Sequence, residues 1–158
     1  MAIEENLAAT DPDSPLLDTS TSFDERFDEL LEYCEGGQPW VVQLAPYKDH
    51  ISAMLETLHA EDRGIPGGGT FWYEGVPLDD DDGDVIYVSP TVVSKAAAVI
   101  GGLTDDEIAA LWQRASSSRS GWFDGLPRSD VQATMRELRT LAREAAARGQ
   151  GMIRYLLM

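Results

Sequence analysis

The stretch from Ser129 to Leu157 constrains the fold more than any other, because an amphipathic helix with marked ends runs directly into an apolar strand. Ser129 and Gln132 stand at the spacing of a capping box, in which the serine hydroxyl accepts from the third helical N–H and the glutamine reaches back. Val131, Met135, Leu138, Leu141, Ala142 and Ala145 recur at three- and four-residue steps, and at about 100° per residue they gather on one face. Gly149 can take the positive φ of a helix C′ position. Met152 to Leu157 is too short for a further helix and apolar enough for a strand.

Upstream of this unit the same signals recur. Ser22 and Glu25 form a second capping box before Phe23, Phe27, Leu30, Leu31 and Cys34, a helical face ended by Gly36-Gly37. Trp40 to Leu44 reads as a short strand, and after Pro46 the residues Tyr47, Ile51, Met54, Leu55 and Leu58 share a helical face. Val85 to Val88 reads as a strand, with Ser89 as cap and Pro90 at the first position of the next helix. Thr104 and Glu107 make another capping box, enclosed by a Leu103–Ile108 hydrophobic staple. Trp122-Phe123 then fold back as a plug on the core. A chain of 158 residues fits one domain able to bury roughly 68–70% of its unfolded surface. The expected fold is therefore of the α/β class in its mixed α+β sense, a single compact domain of about five helices packed on a small sheet over residues 21–158. Residues 1–20 are polar, acidic and interrupted by Pro12 and Pro15. They read as a disordered lead.

Charge is segregated along the sequence. Residues 1–112 hold 24 Asp and Glu against 4 Lys and Arg, a balance of −20, whereas residues 113–158 hold 4 against 8, a balance of +4, which together give the net −16. Such a field opposes the counterion release that drives direct nucleic-acid binding and favours a basic protein partner. No run approaches a membrane span, the acidic N-terminal residues lack an apolar signal region, and a single cysteine cannot form an internal disulfide. The expected compartment is a reducing cytoplasm.

Chemical motifs are sparse. Cys34 closes an apolar stripe with no basic neighbour in sequence, which suits a small core residue better than a nucleophile. His50 and His59 fall on opposite sides of one helix and cannot share a metal. Gly64 to Gly69 lacks the Lys-Ser/Thr of a phosphate loop and reads as a hinge or hairpin loop, followed by Phe71-Trp72-Tyr73, an aromatic run with strand propensity. Aligned on Gly83, the aspartate run lacks the twelfth-position carboxylate of an EF-hand, so a looser divalent site through Asp80, Asp82 and Asp84 is weighed against a solvated turn, and no metal or cofactor is expected.

Tyr87-Val88-Ser89-Pro90 before a valine-rich helix, Leu103-Thr104 opening an acidic-start helix, a tryptophan loop, Leu138-Arg139, Glu144-Ala145-Ala146 and Gly149-Gln150-Gly151-Met152-Ile153 before Tyr155-Leu156 together resemble the YfbM-like family of bacterial proteins. The resemblance is best over residues 84–157. It implies a compact mixed α/β domain of unknown function and bacterial origin, and it implies no reaction.

Two functions follow from these observations. The first is a non-catalytic acidic module in which Asp79, Asp80, Asp81, Asp82, Asp84, Asp105, Asp106 and Glu107 dock a basic partner: an enzyme to inhibit, a toxin to neutralise or a nucleic-acid-binding protein. The second is an enzyme or ligand-binding domain with a loop-built pocket from Trp72, Tyr73 and Glu74, joined by His50, Asp84 and the helix ridge of Arg136, Arg139 and Arg143. The absence of a nucleophile–base–orienter set favours the first.

Overall fold

The computed structural model describes residues 4–18, 20–35, 41–78, 83–119, 121 and 123–157. Five strands, β1 (Glu4–Thr10), β2 (Val41–Gln43), β3 (Val76–Pro77), β4 (Val85–Val88) and β5 (Gly151–Leu157), form one antiparallel sheet in the order β2-β1-β5-β4-β3. Five α-helices, α1 (Phe23–Glu35), α2 (Lys48–Leu58), α3 (Pro90–Ile100), α4 (Asp105–Ser118) and α5 (Arg128–Ala147), pack against it in a single α+β domain.

Strand alternation divides the molecule into three layers. Leu7, Ala9, Val42, Ile86, Val88 and Met152 point to one face and join the interior of α2 to α5. Ala8, Val85, Ile153 and Tyr155 point to the other, where Leu16, Phe23 and Phe27 cover them. The sheet is thus enclosed on both sides. Trp112 and Phe123 meet edge to face with centroids 4.7 Å apart, and Phe123 meets His50 in the same way at 5.2 Å, so Phe123 is the expected plug.

Several ends follow the sequence signals. Ser22 and Ser89 each accept from the N–H three residues on, and both halves of the Thr104–Glu107 box are made, at 3.1 and 3.0 Å. Leu103 and Ile108 are buried beside it. At the end of α5, Gly149 takes φ 66°, while Gln150 N–H donates to Ala145 O at 2.9 Å and Gly149 N–H to Ala146 O at 3.2 Å. These are the paired bonds of a Schellman ending.

Other expectations are corrected. Residues 4–10 are not part of a disordered lead: β1 is an inner strand, paired on both edges, and six of its seven residues are buried. Its polar residues Glu5, Asn6 and Thr10 disguise it. Helix α5 begins one residue before the expected Ser129 cap, since Pro127 is the N-cap and its carbonyl takes the N–H groups of Asp130 and Val131; Gln132 Nε2 is buried with no acceptor among the described residues. Phe71–Tyr73 is a 3-10 turn instead of a strand. A strand would send Phe71 and Trp72 to opposite faces, whereas the turn buries both, with their rings 5.3 Å apart. The glycine run is a packed turn rather than a hinge, because a Cβ on Gly69 would lie 2.8 Å from the Glu56 amide nitrogen of α2. Trp40, Trp122 and Asp79 to Asp82, together with the side chains of Leu30, Leu31 and Cys34, lie outside the described residues.

If β1 belongs to the cooperative core, Leu7→Ala should lower unfolding free energy by about 2–5 kcal/mol in urea denaturation. Thr104→Ala, which removes only a cap, should cost about 1 kcal/mol. A smaller loss for Leu7 than for Thr104 would place β1 outside that core.

Candidate functional site

A lone charge within an apolar strand needs a partner of opposite sign. Arg154 stands between Ile153 and Tyr155 in β5, and the β1–β5 register sets Leu7 opposite it, which leaves Glu5 diagonal to it on the same face. Arg154 Nε donates to Glu5 Oε1 at 2.8 Å, and the two side chains are only 8% and 4% exposed. Lys48, the first residue of α2, reaches Glu5 Oε2 at 3.0 Å. Tyr73 donates its hydroxyl to Glu5 Oε1 at 3.0 Å, its ring lies 5.0 Å from the Arg154 guanidinium carbon, and Arg154 Nη1 donates to Gly83 O at 2.7 Å. One buried carboxylate therefore joins β1, β5, α2, the aromatic turn and the end of the acidic loop. Burial alone pushes the Lys48 ammonium down, but its contacts with Glu5 and Tyr73 outweigh burial and leave it raised. With both Glu5 oxygens engaged by Arg154, Tyr73 and Lys48, the cluster is an ion lock.

Tyr73 faces two ways. Behind it lies the ion lock, and in front lies an open cavity of about 360 Å³ lined by Tyr73, Glu74, Gly75, Val76, Tyr87 and Ser89. Tyr73 and Val76, 40% and 64% exposed, are the large hydrophobic side chains left at the surface among the described residues. Both line this cavity. Glu74 is exposed beside them, and burial raises the Tyr87 phenol. The cavity sits at the root of the β3–β4 hairpin, whose connection carries Asp79 to Asp82 in sequence and returns through exposed Asp84.

The expected site residues are partly brought together. Tyr73 and Glu74 share the cavity, but Trp72 is wholly buried beneath it. None of the three arginines lines it: Arg136 borders a different cavity beside β2, Arg139 Nη1 donates to Asp105 Oδ1 at 2.7 Å and Leu103 O at 2.9 Å, and the Cβ of Arg143 packs near Gly101. His50 instead packs on Phe123. Asp105 and Glu107 are engaged within the fold, by Arg139 and by the cap, while Asp106 is exposed on the first turn of α4. Among the described residues no group of three or more His, Cys, Asp or Glu could hold a metal ion. Sequence reasoning missed Glu5, Lys48, Val76, Tyr87 and Arg154, although the isolated arginine of β5 was a legible demand for a buried acid.

Charge segregation along the chain is bridged at four points in space. Arg114 pairs with Glu61, Arg119 with Glu56, Arg139 with Asp105 and Arg154 with Glu5, each joining the basic third to the acidic remainder. No helix is long and apolar enough to cross a membrane among the described residues. No protein-family model matches the sequence, and no curated protein or solved structure is detectably similar to it, so geometry alone carries the functional argument.

Removal of one member of the buried pair should be severe: Glu5→Gln or Arg154→Met is expected to cost about 3–5 kcal/mol in chemical denaturation. The raised Lys48 value also fixes a sign. Its contribution is complete below the ordinary lysine value of about 10.4 and is lost as pH rises through the higher folded value. Lys48→Met should therefore flatten the alkaline limb of a stability–pH curve, and an unchanged limb would remove Lys48 from the lock.

Proposed function

We propose that this protein is a non-catalytic interaction module of the bacterial cytoplasm that docks a basic segment of a partner protein at the Tyr73–Val76 edge. The observation that carries the reading is the convergence of two exposed hydrophobic side chains on one cavity, beside Glu74 and at the root of an aspartate-rich loop. A partner segment carrying lysine or arginine next to an apolar residue matches both features. Hydrophobic contact then supplies affinity, and the acidic field supplies encounter rate and selectivity.

The backbone argues that side chains make the contact. Leu78 N–H donates to Val85 O at 2.9 Å, so by alternation Pro77 turns its backbone toward the free edge, where it has no N–H to offer. Strand addition at β3 is thereby disfavoured. A small ligand with a cationic group is the second reading, favoured by the two tyrosines and the carboxylate around the same cavity. The likeness of residues 84–157 to the YfbM-like family is kept as a proposal of kinship that assigns no reaction.

The test is co-purification of the tagged full chain from its own cells at low and high salt. A basic protein recovered in stoichiometric amount at low salt and released at high salt is expected. Glu74→Lys and Val76→Asp should each weaken its binding roughly tenfold, a loss of about 1.4 kcal/mol. A partner bound equally by the wild type and both variants, or held regardless of salt, would place docking elsewhere.

A further inference from the structure

The sheet ends at β3 on one side and at β2 on the other, and the two edges present opposite chemistry. At β2, Leu44 N–H donates to Glu5 O at 2.7 Å, which makes that pair a hydrogen-bonded one. Alternation along the antiparallel ladder then turns the backbone of Val42 inward to Leu7 and the N–H and C=O groups of Val41 and Gln43 outward. Among the described residues no strand pairs with them. Val41–Gln43 carries neither a proline nor a charge, and of the devices that blunt an edge within a strand it has only its length of three residues.

A cavity of about 440 Å³ lies beside this edge, lined by Val41, Val42, Arg136, Glu137, Thr140 and Leu141 among others, so α5 borders the open strand. Arg136 and Glu137 are neighbours of opposite sign on that rim, and neither has an ion pair among the described residues. A rim carrying both signs side by side is complementary to itself under a twofold rotation.

We propose that β2 is the dimer edge of this protein and that its occupant is the β2 strand of a second copy, running antiparallel about a twofold axis at Val42. Val41 then exchanges backbone bonds with Gln43 of the partner subunit and the reverse, giving about four inter-strand hydrogen bonds and a sheet continuous through both chains. The same axis brings Arg136 beside Glu137 of the partner subunit, with the pair repeated across it. The net charge of −16 opposes this encounter, but at physiological salt a Debye length of about 8 Å screens it. The surface lies on the opposite sheet edge from the Tyr73 cavity and does not depend on the docking reading.

Sedimentation equilibrium of the full chain, from about 1 µM to about 1 mM at physiological salt, tests this on the range where small interfaces associate. A monomer–dimer equilibrium is expected. Gln43→Pro removes an outward N–H at an edge position where proline is tolerated, so it should leave the thermal unfolding of the chain cooperative and weaken the dimer at least about tenfold. Arg136→Glu and Glu137→Arg should each weaken it, and the two together should restore it. A monomer at every concentration, a dimer indifferent to Gln43→Pro, or a double exchange no better than either single one would overturn the assignment.

Discussion

The Glu5–Arg154 pair is the interaction on which the rest of this structure depends. It lies between the two inner strands, on the face that the helices cover, with both side chains almost fully withdrawn from water. Desolvation of two such charges costs several kcal/mol per ion, and their mutual attraction offsets this only with good geometry and further hydrogen bonds. Here Lys48, Tyr73 and Gly83 O supply those bonds. The pair contributes arrangement more than net stability. It aligns β1 with β5, anchors the first residue of α2, and fixes the tyrosine whose outer side lines the surface cavity.

Much of the fold was legible because its signals are local. Capping at Ser89 and Thr104, the apolar faces of α2 and α5 and the strand at Val85–Val88 are decided by residues within a turn or two of one another. What was illegible depends on distant partners. Strand β1 looked disordered because Glu5 and Asn6 suggest solvent, and the groups that make a buried glutamate tolerable, Lys48, Tyr73 and Arg154, lie 43 to 149 residues away. The Phe71–Tyr73 turn was mistaken for a strand because aromatic residues suit both, and tertiary burial of Phe71 and Trp72 decides between them. At the site, Tyr73 and Glu74 were found by their place after the glycine run, whereas Val76 and Tyr87 join them only through the β3–β4 pairing.

The charge pattern has a similar lesson. Along the sequence it suggests two regions of opposite sign, yet four arginines of the last third are tied to acids of the first two thirds. The exposed pairs among these are worth roughly 0–1 kcal/mol each. The acids outnumber the arginines that reach them, and exposed Glu74 stands beside the open tyrosine, where a carboxylate and exposed apolar area meet.

The pairing of β1 with β5 also sets a timetable. The β1 residues leave the ribosome before the strand they pair with, and Arg154 is made 149 residues after Glu5. At about 5–20 residues per second this is a wait of roughly 7–30 seconds, during which the inner strand has at most β2 beside it. A strongly apolar segment exposed for that time would seek pairing with other nascent chains. Glu4-Glu5-Asn6-Leu7-Ala8-Ala9-Thr10 holds one large aliphatic residue and two carboxylates, a composition that keeps an unfinished chain in solution until Arg154 arrives to bury its glutamate.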